Sequence, residues 1–152
     1  MENAPIRWFE YRLSDAWGLP ISGVEIVEDG EGCRVGYGKP EDSRPKDYRY
    51  IDLDEGTMAQ VKRIVSNPDL YGYEDLYDEA CTMILDGYTQ EMTFYNGKAR
   101  SAIGTTNLSC YRRDAMTNPH ASAIMSTLDK LAQVLAPLGV PGAYFDLEED
   151  AD

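Results

Sequence analysis

The sequence predicts a single-domain α+β protein in which an antiparallel sheet of about five or six strands carries two main helices on one face. Three observations predict it. The chain has 152 residues, enough for one substantial core and too few for two. Short alternating apolar stretches are separated by Gly, Pro and Asn, and two longer stretches have apolar residues at helical spacing. We expect residues 1–145 to form the domain and residues 146–152 an acidic tail.

The first predicted strand runs from Ile6 to Leu13. Its alternation gives it two faces, one with Ile6, Trp8 and Glu10 and the other with Arg7, Phe9 and Tyr11. Gly18, Pro20 and Gly23 then predict a loop, because glycine and proline are the residues that most often interrupt regular structure.

An antiparallel meander is predicted to follow. A short strand from Val24 to Val27 leads to Asp29-Gly30, a strong turn signal, and then to a strand from Cys33 to Tyr37. The stretch from Lys39 to Asp47 holds two prolines and six charges with almost nothing apolar, so we expect an exposed loop. Tyr48 to Leu53 predicts a further strand.

The first predicted helix runs from Asp54 to about Ser66. Asp54 is a favoured N-cap residue. Four apolar side chains recur on one face at helical spacing: Met58, Val61, Ile64 and Val65. Asn67-Pro68 ends the helix, because the residue before proline disfavours helical geometry. The next stretch, Tyr71 to Ala80, predicts a short helix or helical turn.

A β-hairpin is predicted from Tyr88 to Thr105. Its turn is Asn96-Gly97, a dipeptide that readily adopts positive φ at both positions of a two-residue turn. The turn would place Tyr95 opposite Lys98. In that register one face of the hairpin is buried, and it carries three cross-strand pairs: Phe94 with Ala99, Met92 with Ser101 and Gln90 with Ile103. The other face would carry Thr93 with Arg100, toward solvent.

The second main helix is predicted from Pro119 to about Leu135. Asn118 supplies the N-cap, and proline suits the first helical position because its missing N–H has no partner there in any case. An apolar stripe should pack on the sheet: Ile124, Leu128, Leu131 and Leu135. Pro137 and Gly139 end the helix.

Part of this pattern resembles a group of small uncharacterised bacterial α+β proteins. The resemblance is carried by Leu85-Asp86-Gly87, the hairpin after it, Gly104, Asn107 and the helix opened by Pro119, and it covers Ala80 to Leu135. In that group an Asp-Gly leads into two strands, a Gly-x-Asn and a proline-initiated helix. The segment Leu108–Asn118 is longer here than in that pattern. The resemblance implies an α+β fold and no particular activity.

The formal net charge of −13 constrains the partners. It comes from 27 acidic and 14 basic side chains. Such a surface repels nucleic-acid phosphates and anionic lipids, so we expect neither nucleic acid nor membrane as a direct partner, and we expect attraction to a basic protein surface. The alternative is acidity that serves solubility alone.

The sequence predicts no cofactor, no metal centre and a cytoplasmic location. Cys33, Cys81 and Cys110 are an odd number, well separated, and the chain has one histidine, so neither a disulfide framework nor a zinc site can be assembled. No stretch approaches the roughly 18 apolar residues of a membrane span. Gly36 and Gly38 lack the third glycine of a nucleotide loop.

Two alternative kinds of chemical site stay open. Cys110 and His120 could form a thiolate–imidazole pair, with nearby arginines lowering the pKa of the thiol. Asp75, Asp78 and Glu79 could hold a divalent cation, although a solvated acidic face is the simpler interpretation.

The more informative feature is the distribution of charge. Between Ile64 and Gly97 there are seven acidic residues and no Lys or Arg, and the chain from Leu131 onward also lacks basic residues. Tyrosines are interleaved with the acids, and tyrosine offers a large contact area at low entropic cost. The predicted partner-binding residues are Asp69, Tyr71, Tyr73, Glu74, Asp75, Tyr77, Asp78 and Glu79.

These observations favour a non-enzymatic acidic interaction protein that docks on a basic protein surface. Its sharper form is a nucleic-acid mimic that inhibits a nucleic-acid-binding protein, as an anti-defence protein of a phage or mobile element would. The alternatives are a small cysteine- or carboxylate-dependent enzyme, and a housekeeping domain that binds a small molecule between sheet and helix. The oligomeric state is left open.

Overall fold

The computed structural model describes residues 5–15, 17, 19–41, 44–45, 48–71, 89–105 and 119–140. The strands are β1 Ile6–Ser14, β2 Pro20–Asp29, β3 Gly32–Gly38, β4 Pro40–Glu41, β5 Arg44–Pro45, β6 Arg49–Leu53, β7 Thr89–Tyr95 and β8 Arg100–Thr105. The helices are α1 Glu55–Ile64 and α2 Pro119–Leu135, with 3₁₀ turns at Pro68–Leu70 and Ala136–Leu138.

Six of these strands form one antiparallel sheet in the order β6-β3-β2-β1-β7-β8. One continuous cluster of buried side chains contains residues of the sheet and of both helices, including Phe9, Phe94, Val61 and Leu128. The predicted α+β architecture is therefore confirmed. We call the face that meets the helices the core face, and the opposite one the open face.

The predicted faces of β1 were wrong at its beginning. The register with β2 shifts between Arg7 and Phe9, so that Trp8 is an extra residue in the ladder. Such a β-bulge interrupts strict alternation. As a result the consecutive residues Trp8 and Phe9 are both buried in the core cluster, whereas alternation predicted opposite faces. The Trp8 Nε1 donates a 3.0 Å hydrogen bond to Glu28 Oε1.

The second strand is longer than predicted. β2 begins at Pro20, and Gly23 lies inside it, paired with Arg12 of β1, where the sequence predicted a loop. Gly23 leaves room there for the Tyr48 hydroxyl, which a Cβ at this position would overlap. The turn at Asp29-Gly30 is confirmed: Asp29 pairs with Gly32 to close the β2–β3 hairpin.

The segment from Lys39 to Asp47 was predicted as an exposed loop, which is partly wrong because it contains two short strands. β4 and β5 pair as a small two-stranded ribbon, with Glu41 opposite Arg44 and Pro40 opposite Pro45. Proline is compatible with such a ribbon because each strand is an edge strand and can lack an N–H donor.

The first helix forms as predicted. Asp54 is its N-cap, and its Oδ1 accepts a 2.7 Å hydrogen bond from the Thr57 backbone N–H. Met58, Val61 and Val65 are buried. The helix ends at Ile64, after which Asn67 caps the Pro68–Leu70 turn by accepting from the Asp69 N–H.

The predicted hairpin exists with a different register. Tyr95 pairs with Arg100, Phe94 with Ser101 and Met92 with Ile103, which is two residues beyond the predicted pairing. Asn96 explains the wider loop, because its Oδ1 accepts from the backbone N–H groups of Lys98 and Ala99, each at 2.8 Å. Since a shift of two preserves the faces of a strand, the predicted buried face of β7 is confirmed.

The second helix also forms as predicted. All four residues of its stripe, Ile124, Leu128, Leu131 and Leu135, are fully buried. It continues into the Ala136–Leu138 turn and stops at Gly139, which has a left-handed φ of 101°. Of the helix or helical turn predicted from Tyr71 to Ala80, only Tyr71 is among the described residues. The predicted Asn118 N-cap and the predicted acidic tail 146–152 lie outside them. None of the helices in the described part of the chain is long and apolar enough to cross a membrane.

Candidate functional site

Two of the eight predicted partner-binding residues belong to the described chain. Asp69 is exposed in the 3₁₀ turn that follows α1. Tyr71, two residues later, is half-buried against the core cluster. The other six, Tyr73, Glu74, Asp75, Tyr77, Asp78 and Glu79, lie outside the described residues, and their role stays a prediction.

Tyr71 has a structural role beside any role in binding. Its hydroxyl donates a 2.6 Å hydrogen bond to the carbonyl oxygen of Val65, the C-cap residue of α1, where the helix itself supplies no donor. Burial raises the pKa of the Tyr71 hydroxyl, because an ionised phenolate would lose its hydration there. Tyr71 therefore anchors the start of the acidic segment to the helical layer.

Charge in the described body is nearly balanced. Of the residues whose side chains the structure describes, twelve are acidic and ten are basic. Several form ion pairs: Arg7 Nε lies 3.1 Å from Glu25 Oε1, Lys62 Nζ lies 3.3 Å from Glu28 Oε1, and Arg34 pairs with Asp29. The sheet and α1 therefore carry little of the net negative charge.

Most of the excess negative charge is concentrated in two stretches of sequence. Residues 72–88 contain five acidic residues and no Lys or Arg, and residues 141–152 contain another five with no Lys or Arg. These 29 residues thus contribute ten negative charges to a net charge of −13. We call them the two acidic segments.

The structure describes where the acidic segments join the folded body. Tyr71 precedes the first and Val140 precedes the second, and both pack in or against the same core cluster. The turn Pro68–Leu70 also contacts α2. The first segment rejoins the sheet at Thr89, which pairs with Ser14 at the end of β1.

The open face of the sheet carries a polar cluster that the sequence did not predict. Glu25 is almost fully buried, and its carboxylate accepts hydrogen bonds from Arg7 Nε at 3.1 Å and from the Tyr50 hydroxyl at 2.6 Å. The Tyr50 ring covers its cross-strand partner Gly36, where a Cβ would overlap it. Burial is the main cause that raises the pKa of the Tyr50 hydroxyl, and the hydrogen bond to Glu25 adds to it.

Glycine inside a strand was the signal that could have indicated this cluster. Gly23 and Gly36 interrupt two apolar strands, and a glycine in a strand often marks the close approach of another group. Here the groups are Tyr48 and Tyr50, whose ring centroids are 6.2 Å apart. Sequence alone does not say which aromatic residue covers which glycine.

A shallow depression of about 240 Å³ lies beside this cluster, over β1, β7 and β8. Arg12 and Glu91 form an ion pair at 3.6 Å across it. Its other lining residues are Glu10, Met92, Thr93, Ala102 and Ile103. The depression therefore has charges of both signs and a small apolar floor.

The described residues show no reactive thiol. Cys33 is free and partly buried, and burial raises the pKa of its thiol, as does the neighbouring Glu28 carboxylate. Both effects favour the unreactive neutral form. The predicted Cys110–His120 pair includes a residue outside the described chain and stays a prediction. Among the described residues, no three His, Cys, Asp or Glu side chains gather as metal ligands would.

The chain matches no protein-family model and no curated protein, so no activity is transferred from a relative. Because nothing matches, the resemblance of the Asp-Gly and Pro119 pattern to small bacterial α+β proteins also stays a prediction.

Proposed function

We propose that this is a non-enzymatic, acidic interaction protein of the cytoplasm that docks on a basic surface of another protein. One observation carries the proposal: ten negative charges are concentrated in two segments that contain no Lys or Arg, and these segments are attached to a body of nearly balanced charge. A concentrated charge creates a stronger local field than the same charge spread over the whole surface.

The balanced body supports this interpretation over general acidity for solubility. Acidic residues that serve solubility alone can be interspersed with basic ones around the whole surface. Here the described acids Glu25, Glu28 and Glu91 each have a basic partner, while residues 72–88 have none within their own stretch. The first acidic segment is therefore the expected docking element.

Charge reversal tests the proposal directly. The immobilised protein would capture partners from a lysate of its own cells, and a captured protein would then be purified for calorimetric titration. The variant Asp75→Lys/Asp78→Lys/Glu79→Lys should bind this partner at least about tenfold more weakly, because three attractive contacts become repulsive. Wild-type affinity should also fall as NaCl rises from about 50 to 300 mM, because salt screens exposed charges.

A matched control separates position from net charge. The variant Glu31→Lys/Asp52→Lys/Glu55→Lys changes the net charge by the same amount at exposed positions of the described body. It should weaken binding far less than reversal within residues 72–88. Equal effects of the two triple variants, or an affinity that ignores both salt and reversal, would contradict the proposal.

The finer version of the proposal is nucleic-acid mimicry. A protein whose carboxylates replace phosphates should compete with nucleic acid for the partner's binding groove, as an anti-defence inhibitor would. The test is displacement of a labelled DNA or RNA duplex from the purified partner by this protein. A ternary complex in place of displacement would reject mimicry and leave protein docking intact.

The depression beside Arg12 and Glu91 favours one other candidate function, the binding of a small polar molecule. Its mixed charges suit a ligand that carries both a cationic and an anionic group. Screening of zwitterionic metabolites by chemical-shift changes at Thr93 and Ala102 would test it. The enzyme alternative would require an activity that disappears in Cys110→Ala.

A further inference from the structure

The turn between β1 and β2 exposes an unusual amount of apolar surface. Trp17 is 86% exposed and Leu19 is 62% exposed. Ile21, at the start of β2, adds a partly exposed apolar side chain nearby. Tryptophan is highly buried on average in folded proteins, so leaving one almost entirely in water is costly unless another molecule covers it.

Hydrogen bonds join Asp15 to both Trp17 and Leu19. The Asp15 carboxylate accepts hydrogen bonds from the backbone N–H groups of Trp17 and Leu19, both at 2.9 Å, through its Oδ1 atom. The Asp15 N–H also donates to the Leu19 carbonyl oxygen at 2.9 Å. Three hydrogen bonds therefore hold Trp17 and Leu19 to Asp15, and groups that are already held in place lose less entropy on binding.

The charge of the protein selects among possible occupants of this surface. A second copy carries the same net charge of −13, which opposes self-association. An anionic lipid surface is repelled for the same reason. A partner with an apolar pocket and a basic rim is attracted.

The position of the turn supports the same kind of partner. Ser14, the residue immediately before Asp15, pairs with Thr89, where the first acidic segment rejoins the sheet. The apolar turn is thus next to one end of the stretch that has five acids and no base. An apolar centre with charges beside it is the usual arrangement of a protein–protein interface.

We propose that Trp17 and Leu19 are the apolar anchor of the interface with the basic partner, and that Trp17 inserts into an apolar pocket with a Lys/Arg rim. This inference rests on the proposed function, since it assigns the anchor of the same interface. Tryptophan is enriched among the few residues that dominate binding energy.

The test is calorimetric titration of the purified partner with Trp17→Ser and with Ile6→Ser. Both variants remove an exposed apolar side chain, but Ile6 lies at the opposite end of β1 from the turn. Trp17→Ser should weaken binding at least about thirtyfold, the loss typical of a dominant interface residue, and Ile6→Ser should change it less than about twofold. Equal affinities of Trp17→Ser and wild type would overturn the inference.

Failure of the anchor can be distinguished from failure of the electrostatic proposal. Loss of binding on acidic triple reversal but not in Trp17→Ser keeps the proposed function and rejects the anchor. The opposite result keeps the anchor and rejects electrostatic docking by residues 72–88. The Trp17→Ser effect should persist at about 300 mM NaCl, because apolar contacts are not screened by salt.

Two further measurements examine the other occupants. Sedimentation of the protein alone should find no association that Trp17→Ser abolishes. Vesicles of neutral phosphatidylcholine should leave the tryptophan emission of the wild type unchanged. Vesicles that contain anionic phosphatidylserine should also leave it unchanged. Self-association or vesicle binding through Trp17 would overturn the proposal. It would also be overturned if no captured partner required Trp17 for binding.

Discussion

Tyr50 and Gly36 show how a single residue pair organises the open face. Only a glycine leaves room for the Tyr50 ring over β3, and this ring position brings the Tyr50 hydroxyl within 2.6 Å of Glu25. Glu25 is buried, so its carboxylate depends on that hydroxyl and on Arg7 for hydrogen bonds. A buried carboxylate that loses a donor is costly.

Gly36→Ala should therefore destabilise the protein by about 1–3 kcal/mol, because the added methyl group displaces the Tyr50 ring and its hydrogen bond. Urea denaturation measures the free energy of unfolding. Gly30→Ala is the matched control: a Cβ at Gly30 meets nothing within 4 Å. Similar destabilisation by the two substitutions would show that the ring contact has no special importance.

At the scale of the element, the β7–β8 hairpin depends on two residues of its loop. The Asn96 carboxamide accepts two backbone hydrogen bonds, and Gly97 adopts a φ of 98°. L-residues with side chains rarely occupy that region, because Cβ approaches the backbone too closely. The loop therefore requires Asn96 and Gly97 for different reasons.

The same substitution should have opposite signs in the hairpin and in α1. Gly97→Ala should destabilise by about 1–2 kcal/mol because of its positive φ. Gly56→Ala should stabilise by about 0.5 kcal/mol, because alanine has the higher helix propensity and its Cβ would make only an ordinary contact with Asp54. Thermal unfolding monitored by circular dichroism distinguishes them. A loss of stability in both variants would contradict the assigned backbone geometry.

Helix α1 is attached to the sheet through a polar contact as well as through its apolar face. Lys62 Nζ lies 5.0 Å from the Trp8 ring centroid and 3.3 Å from Glu28 Oε1. The same Glu28 oxygen accepts from Trp8 Nε1. The bulge that buries Trp8 is thus part of the interface between helix and sheet.

At the scale of the whole molecule, three tyrosines link stability to alkaline pH. Burial raises the pKa of Tyr48, Tyr50 and Tyr71 above that of a free tyrosine, and for Tyr48 and Tyr50 nearby Glu25 adds to the effect. A pKa that is raised on folding contributes stability that is fully present below the unfolded value of about 10. That stability is lost as pH rises above 10 toward the folded values.

We therefore expect the free energy of unfolding to fall steeply above about pH 10. Absorbance at 295 nm, which reports tyrosine ionisation, should rise when urea unfolds the protein at pH 10, because tyrosines that folding keeps neutral then ionise in part. Tyr50→Phe should flatten the alkaline decline, because one of the coupled groups is gone. A free energy of unfolding that does not change between pH 9 and 11 would contradict the assigned burial.

Charge also acts on the whole molecule, because the described body and the acidic segments differ in balance. Ion pairs such as Arg7–Glu25 hold opposite charges close together in the sheet. The net charge comes mainly from residues 72–88 and 141–152. The proposed docking therefore depends on those segments, with Trp17 as its proposed apolar contact.

The candidate site was predicted in part. Charge segregation is visible in the sequence, because it requires only counting along the chain. The exposure of Trp17 was not predicted, because an apolar residue in a turn is equally compatible with a buried position. The same is true of Glu25, since nothing in the sequence indicates that Tyr50 and Arg7 meet it.

The sequence by itself determined the α+β class, both helices with the Asp54 cap and the stripe from Ile124 to Leu135, and the buried face of β7. These features depend on contacts between residues near each other in the chain, so the periodicity of apolar residues in the sequence is enough to predict them. Tertiary structure alone decided the bulge at Trp8, the wider β7–β8 register and the glycines beneath Tyr48 and Tyr50. Each of these depends on which strands lie side by side, and local periodicity carries no information about neighbours distant in sequence.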